Sequence, residues 1–82
     1  MKLKRSDSNG SPELLDLAES LVNYARDRQQ LLDFAYAIWP RLCVYEGHTH
    51  WRFMVNGGDL ANTFVVDFSE NPAATRRQAQ AA

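Results

Sequence analysis

The sequence predicts an α+β fold in which a long N-terminal helix packs on a three-stranded antiparallel β-meander, and three observations predict it. Apolar residues recur at helical spacing from Leu14 to Trp39. After Pro40 the apolar period shortens from about 3.6 residues to about 2, the change that separates a helix from a half-buried strand. Gly47 and the stretch "GGDLA" then divide the second half into three segments rich in aromatic and β-branched residues.

The helix has a defined start. Ser11 is placed to accept a hydrogen bond from a free backbone N–H, Pro12 suits the first helical position, and Glu13 sits at the positive end of the helix dipole. Leu14, Leu17, Ala18, Leu21, Val22 and Ala25 form the apolar stripe, which predicts that Leu21→Ala costs about 2 to 5 kcal/mol as a core deletion. The stripe runs on through Leu32, Ala35, Tyr36 and Trp39, interrupted by Arg28 and Gln29. No glycine or proline marks a break there, so one long or kinked helix from 12 to 39 is expected. The alternative is a second helix capped by Asp27, with Gln30 three residues on. Pro40 ends the helix either way, because it removes a donor and disfavours helical geometry at Trp39.

"RLCVYE" (41–46), "THWRFMVN" (49–56) and "NTFVVDFS" (62–69) are the expected strands. A two-residue Gly47-His48 turn would pair Tyr45 with His50 and Val44 with Trp51. One face then collects Leu42, Val44, Trp51, Phe53 and Val55, with Phe64, Val66 and Phe68 joining it across the next connection. Helix on sheet is the minimal two-layer solution. Residues 1–10 read as a disordered basic leader, 11–70 as a single domain, and 71–82 as a flexible or weakly helical tail with almost no large apolar side chain.

Composition bounds the function. The chain has 82 residues, 45% of them hydrophobic, and a single cysteine, Cys43, so no intramolecular disulfide forms and a reducing cytoplasm is the expected setting. No apolar run approaches the roughly 20 residues of a membrane helix, and no signal-peptide core follows the N-terminus. Residues 11–70 carry nine acids and four bases, while the charges outside them are mainly basic. A dedicated nucleic-acid binder shows a basic stripe across its folded body, and composition gives none here. No phosphate-binding loop or internal repeat is present, and no cofactor is called for.

"VYEGHTHWRFMV" (44–55) concentrates the reactive side chains. Cys43, Glu46, His48 and His50 are competent metal ligands, but their spacing matches no tetrahedral zinc pattern. Cys43, His50 and Asp67 have the residue types of a thiol hydrolase, without the cleft and oxyanion donors that such chemistry needs. Alternation places Tyr45, His50, Arg52, Met54, Val65 and Asp67 together on the sheet face opposite Trp51 and Phe53, with His50 across from Asp67. The leading expectation is a non-enzymatic intracellular protein that binds or regulates a protein partner through Tyr45, His50, Arg52, Met54 and Asp67. Homodimerisation is part of it, because the 62–69 strand has no proline or lysine to deter pairing. The alternative is an accessory nucleic-acid binder, with Tyr45, His50 and Arg52 as a stacking platform and the basic tails as phosphate grips. A small hydrolase using Cys43 and His50 ranks below both.

Overall fold

Two helices lie on one face of a four-stranded antiparallel sheet in the computed structural model, which describes residues 1–58 and 60–68. The elements are β1 (Lys2–Leu3), α1 (Pro12–Tyr24), α2 (Arg28–Ile38), β2 (Cys43–Glu46), β3 (His50–Met54) and β4 (Thr63–Asp67). The sheet order is β1-β4-β3-β2. The α+β class and the β2-β3-β4 meander are as the periodicity predicts. The single long helix and the three-stranded sheet are corrected.

α1 starts as its sequence dictates: the Ser11 hydroxyl accepts from the Leu14 N–H at 3.2 Å and Pro12 opens the first turn. It stops at Tyr24, three residues before a new cap. The Asp27 carboxylate accepts from the Gln30 N–H at 2.8 Å, and the Gln30 side chain accepts from the Arg26 N–H at 2.8 Å. These two bonds satisfy donors that a continuous helix would have engaged internally, and a cap of this kind contributes about 1 kcal/mol. The helix therefore divides with no glycine or proline at the junction. α2 ends at Ile38, with Trp39 extended ahead of Pro40.

The helical stripe is only partly buried. Ala18, Val22 and Ala25 are buried, as are Leu31 and Ala35 on α2. Leu21 is half-buried and Leu17 is 40% exposed. The small residues face the sheet because they allow close approach. Leu21→Ala therefore removes less buried surface than a full core deletion, and the cost expected of it falls below about 2 kcal/mol.

The first hairpin is offset by two residues from the expected register. Tyr45 pairs with Arg52, Val44 with Phe53 and Glu46 with Trp51, and the Gly47 N–H donates to the His50 carbonyl at 3.1 Å, leaving His48 and Thr49 at the tip. Gly47 is required by crowding: a Cβ there would lie 2.6 Å from the His50 carbonyl oxygen. A slip of two keeps every side chain on its own face. The core is therefore the one that alternation predicts. Leu42, Trp51, Phe53, Phe64, Val66 and Phe68 are buried together, with Val44 and Val55 packed against them. Beyond β3 the chain turns at Gly57, whose φ of 68° suits glycine.

The leader is the largest correction. Residues 1–10 form the edge of the sheet: Leu3 pairs with Val66 and is buried, and the Lys4 N–H donates to the Val65 carbonyl at 2.8 Å. A 3-10 turn at Arg5–Asp7 then leaves the ladder. The chain returns at Asn9, which exchanges backbone bonds of 2.7 and 2.9 Å with Thr63. Across this gap the Ser8 hydroxyl donates to the Lys4 carbonyl at 2.7 Å and accepts from the Val65 N–H at 3.0 Å. It stands in for the missing strand carbonyl. Val65 is 1% exposed, so Ser8→Ala orphans a buried donor and is expected to cost about 1 to 3 kcal/mol in urea unfolding. An unchanged unfolding midpoint would show that the hydroxyl is dispensable. The expected tail at 71–82 lies outside the described residues.

β4, read from sequence as a free edge, is central, with β1 on one side and β3 on the other. It cannot add to another sheet.

Candidate functional site

The strand register sets the outer face of the sheet, opposite the helices, in three rows. His50 lies between Asp67 on β4 and the hairpin tip, and Asp67 faces Lys2. Arg52 lies between Tyr45 and Val65. Met54 lies between Cys43 and Thr63. Tyr45, His50, Arg52, Met54 and Asp67 thus share the face that alternation assigned to them. The Tyr45 ring is 63% exposed on the outermost strand, Arg52 is exposed beside it, and Met54 and Asp67 are half-buried.

The arrangement sorts the chemistries. Cys43 is opposite Met54, four residues along β3 from His50, which puts the two Cα atoms about 14 Å apart. No proton passes between side chains at that range, so the residue types of a Cys-His-Asp triad are present but not assembled. His50 is across from Asp67 as expected, while its Nδ1 lies 3.2 Å from the Thr49 hydroxyl. His48 is exposed at the tip. Among the described residues no cluster of three or more His, Cys, Asp or Glu side chains converges in a way that would hold a metal.

Sequence reasoning missed two members of this face. Leu3 points to the core, so its neighbours Lys2 and Lys4 fall on the outer side, at the edge remote from Tyr45. The polar-apolar-polar order "KLK" was the available signal, and its shortness hid it. Asp7 binds the Lys4 ammonium at 3.0 Å, and this hydrogen bond raises the lysine pKa above its ordinary value. On the helix side, Arg5 reaches Asp16 and Glu19 of α1, at 2.8 Å each. An apolar groove of about 270 Å³ lies between the helices, lined by Leu21, Tyr24, Phe34, Ala37 and Ile38.

Fold and face together define a small two-layer α+β protein with helices on one side of an antiparallel sheet and a mixed aromatic and charged surface on the other. Comparison with known proteins finds no matching family model, no similar curated protein and no similar solved structure. Among the described residues no helix is long and apolar enough to cross a membrane.

Proposed function

We propose that this protein is a non-enzymatic interaction protein that binds and regulates another protein through the outer face of its sheet. The observation that carries the reading is the exposed Tyr45 ring set directly across from Arg52 on the outermost strand pair. Tyr and Arg are over-represented among residues that dominate binding energy, and a paired strand backbone holds them in register. Half-buried Met54 supplies adaptable apolar contact beside them. A cytoplasmic location fits an exposed, unpaired Cys43.

The test is affinity capture with the full chain, followed by titration of the captured partner in pure form. Wild type and a helix-surface control, Glu13→Ala, are expected to bind equally. Tyr45→Ala/Arg52→Ala is expected to keep the wild-type thermal transition and weaken binding by about 30-fold or more. Undiminished binding by the double variant would sink the assignment of the face.

One observation favours a second reading, accessory nucleic-acid binding: Lys2 and Lys4 stand on the same face as Arg52, His50 and Tyr45, which adds positive charge to a stacking surface. Asp67 opposite Lys2 and Asp7 on Lys4 weaken it. Binding of a labelled single-stranded oligonucleotide that falls steeply with salt would favour this reading, and no binding at low salt would remove it.

A further inference from the structure

The two edges of the sheet are built differently. β1 carries the features that deter strand addition: it is two residues long, bears Lys2, is followed by Lys4 and is interrupted by the Arg5–Asp7 turn. β2 is longer and uninterrupted, and its one charge is Glu46 at its end. Cys43–Glu46 holds neither proline nor lysine, and among the described residues it pairs with β3 alone.

The hydrogen-bond phase of that edge follows from the hairpin. Gly47 donates to His50, and in an antiparallel ladder the bonded pairs alternate, so Tyr45 and Cys43 also turn their backbone groups toward β3. Val44 and Glu46 turn theirs outward. An edge with two outward residues flanking one inward residue is complementary to itself under a two-fold axis through that inward residue.

We propose that a second copy of this chain adds antiparallel at β2, with the two-fold axis at Tyr45, extending the sheet from four strands to eight. Val44 of each copy then pairs with Glu46 of the other, which engages all their outward N–H and C=O groups. Charge agrees with this register, since each Glu46 faces a valine. Tyr45 meets its counterpart in a non-hydrogen-bonded pair, where side chains approach most closely and aromatic pairs are favourable. The two Arg52 side chains stay three strand spacings apart, about 14 Å. In the helix layer, α1 packs on β1 and β4, and Phe34 of α2 contacts Tyr24 of α1, with ring centres 5.8 Å apart. Tyr36, two residues on from Phe34, lies on the flank of α2 turned away from α1 and is exposed.

The inference rests on the backbone of the edge and not on the foreign-partner reading, although Tyr45 belongs to both: strand addition sets its ring against the counterpart, while His50, Arg52 and Met54 keep their places on the face. Sedimentation equilibrium of the full chain at tens to hundreds of micromolar is expected to show a dimer, and a monomer throughout would overturn the proposal. Glu46→Pro removes an outward N–H that serves no internal ladder bond. It should leave the circular dichroism unchanged and raise the dimer dissociation constant by about 30-fold or more, through loss of two symmetric backbone bonds. A folded Glu46→Pro chain that dimerises like wild type would overturn the edge assignment. Independently of that variant's folding, Cys43→Ser/Tyr45→Cys places two thiols at the axis within disulfide reach. Mild oxidation should then give a covalent dimer, whereas Cys43→Ser/Arg52→Cys should not. Equal cross-linking of the two, or none in the first, would also overturn it.

Discussion

Deleting residues 1–9 is expected to abolish the cooperative unfolding transition and to leave an aggregation-prone chain. The deletion removes Leu3, whose burial is worth about 2 kcal/mol. It also removes the four hydrogen bonds that Lys4, Ser8 and Asn9 make to Thr63 and Val65, each contributing about 1 kcal/mol net. The sum approaches the whole stability of a small domain, which sits near the low end of about 5 to 15 kcal/mol. The exposed consequence is as serious. β4 becomes an edge, and Thr63–Asp67 contains no proline or lysine to discourage pairing. Circular dichroism during urea titration checks the first expectation and sedimentation velocity the second. The contrast with Arg5 identifies the cause. Its bonds to Asp16 and Glu19 join solvent-exposed side chains, and such pairs add little to stability because water screens them. Arg5→Ala should therefore unfold near the wild-type midpoint while the deletion does not. A truncated chain with a wild-type transition would mean that the first strand rests on the sheet without supporting it.

How much of this was legible in the sequence varies element by element. The core face was legible, because alternation alone decides it: Trp51, Phe53, Phe64, Val66 and Phe68 are buried as predicted even though the first hairpin is offset by two residues. That offset arose from reading Gly47 as a turn residue chosen for positive φ. Its real constraint is the His50 carbonyl lying where a Cβ would go, a contact that no local pattern encodes. The division between α1 and α2 was half-legible. Asp27 and Gln30 were visible as a capping pair, but whether they override a continuous stripe depends on how the two helices meet the sheet. The leader was illegible because its apolar content is little more than Leu3, and its value lies in matching Val66 sixty-odd residues away. The central place of β4 did leave a trace. "TFVV", apolar but for Thr63, is buried on both sides, the pattern of an interior strand, whereas an edge strand would alternate. At the site, the five proposed residues follow from the same alternation as the core. Lys2 and Lys4 do not, since they join the face only through the leader's pairing.

Phe53→Ala is expected to be the most damaging single substitution, at about 3 to 5 kcal/mol. Phe53 is fully buried, and its ring lies 4.8 Å from that of Phe64 at an interplanar angle of 8°, an offset stack. Through Phe64 the stack meets Trp39, at 5.6 Å, and through Trp51 it meets Phe68, at 4.8 Å edge to face. One deletion therefore leaves a cavity bounded by rings that cannot all move to fill it. For a domain of this size the loss lowers the melting temperature by roughly 15 to 30 °C, as differential scanning calorimetry will measure. Arg28 sets the lower end of the scale: its guanidinium lies 4.4 Å from the Phe68 ring centre at the rim of the same cluster. It is exposed, and Arg28→Ala should cost only about 1 kcal/mol. Comparable losses from Phe53→Ala and Arg28→Ala would show that the stacked rings do not form the central packing unit. Because Phe53 and Arg52 are adjacent in sequence and point to opposite faces, stability and binding are separable on β3. Phe53→Leu should lower the melting temperature while leaving a folded chain's affinity for its partner intact, and Arg52→Ala should do the reverse.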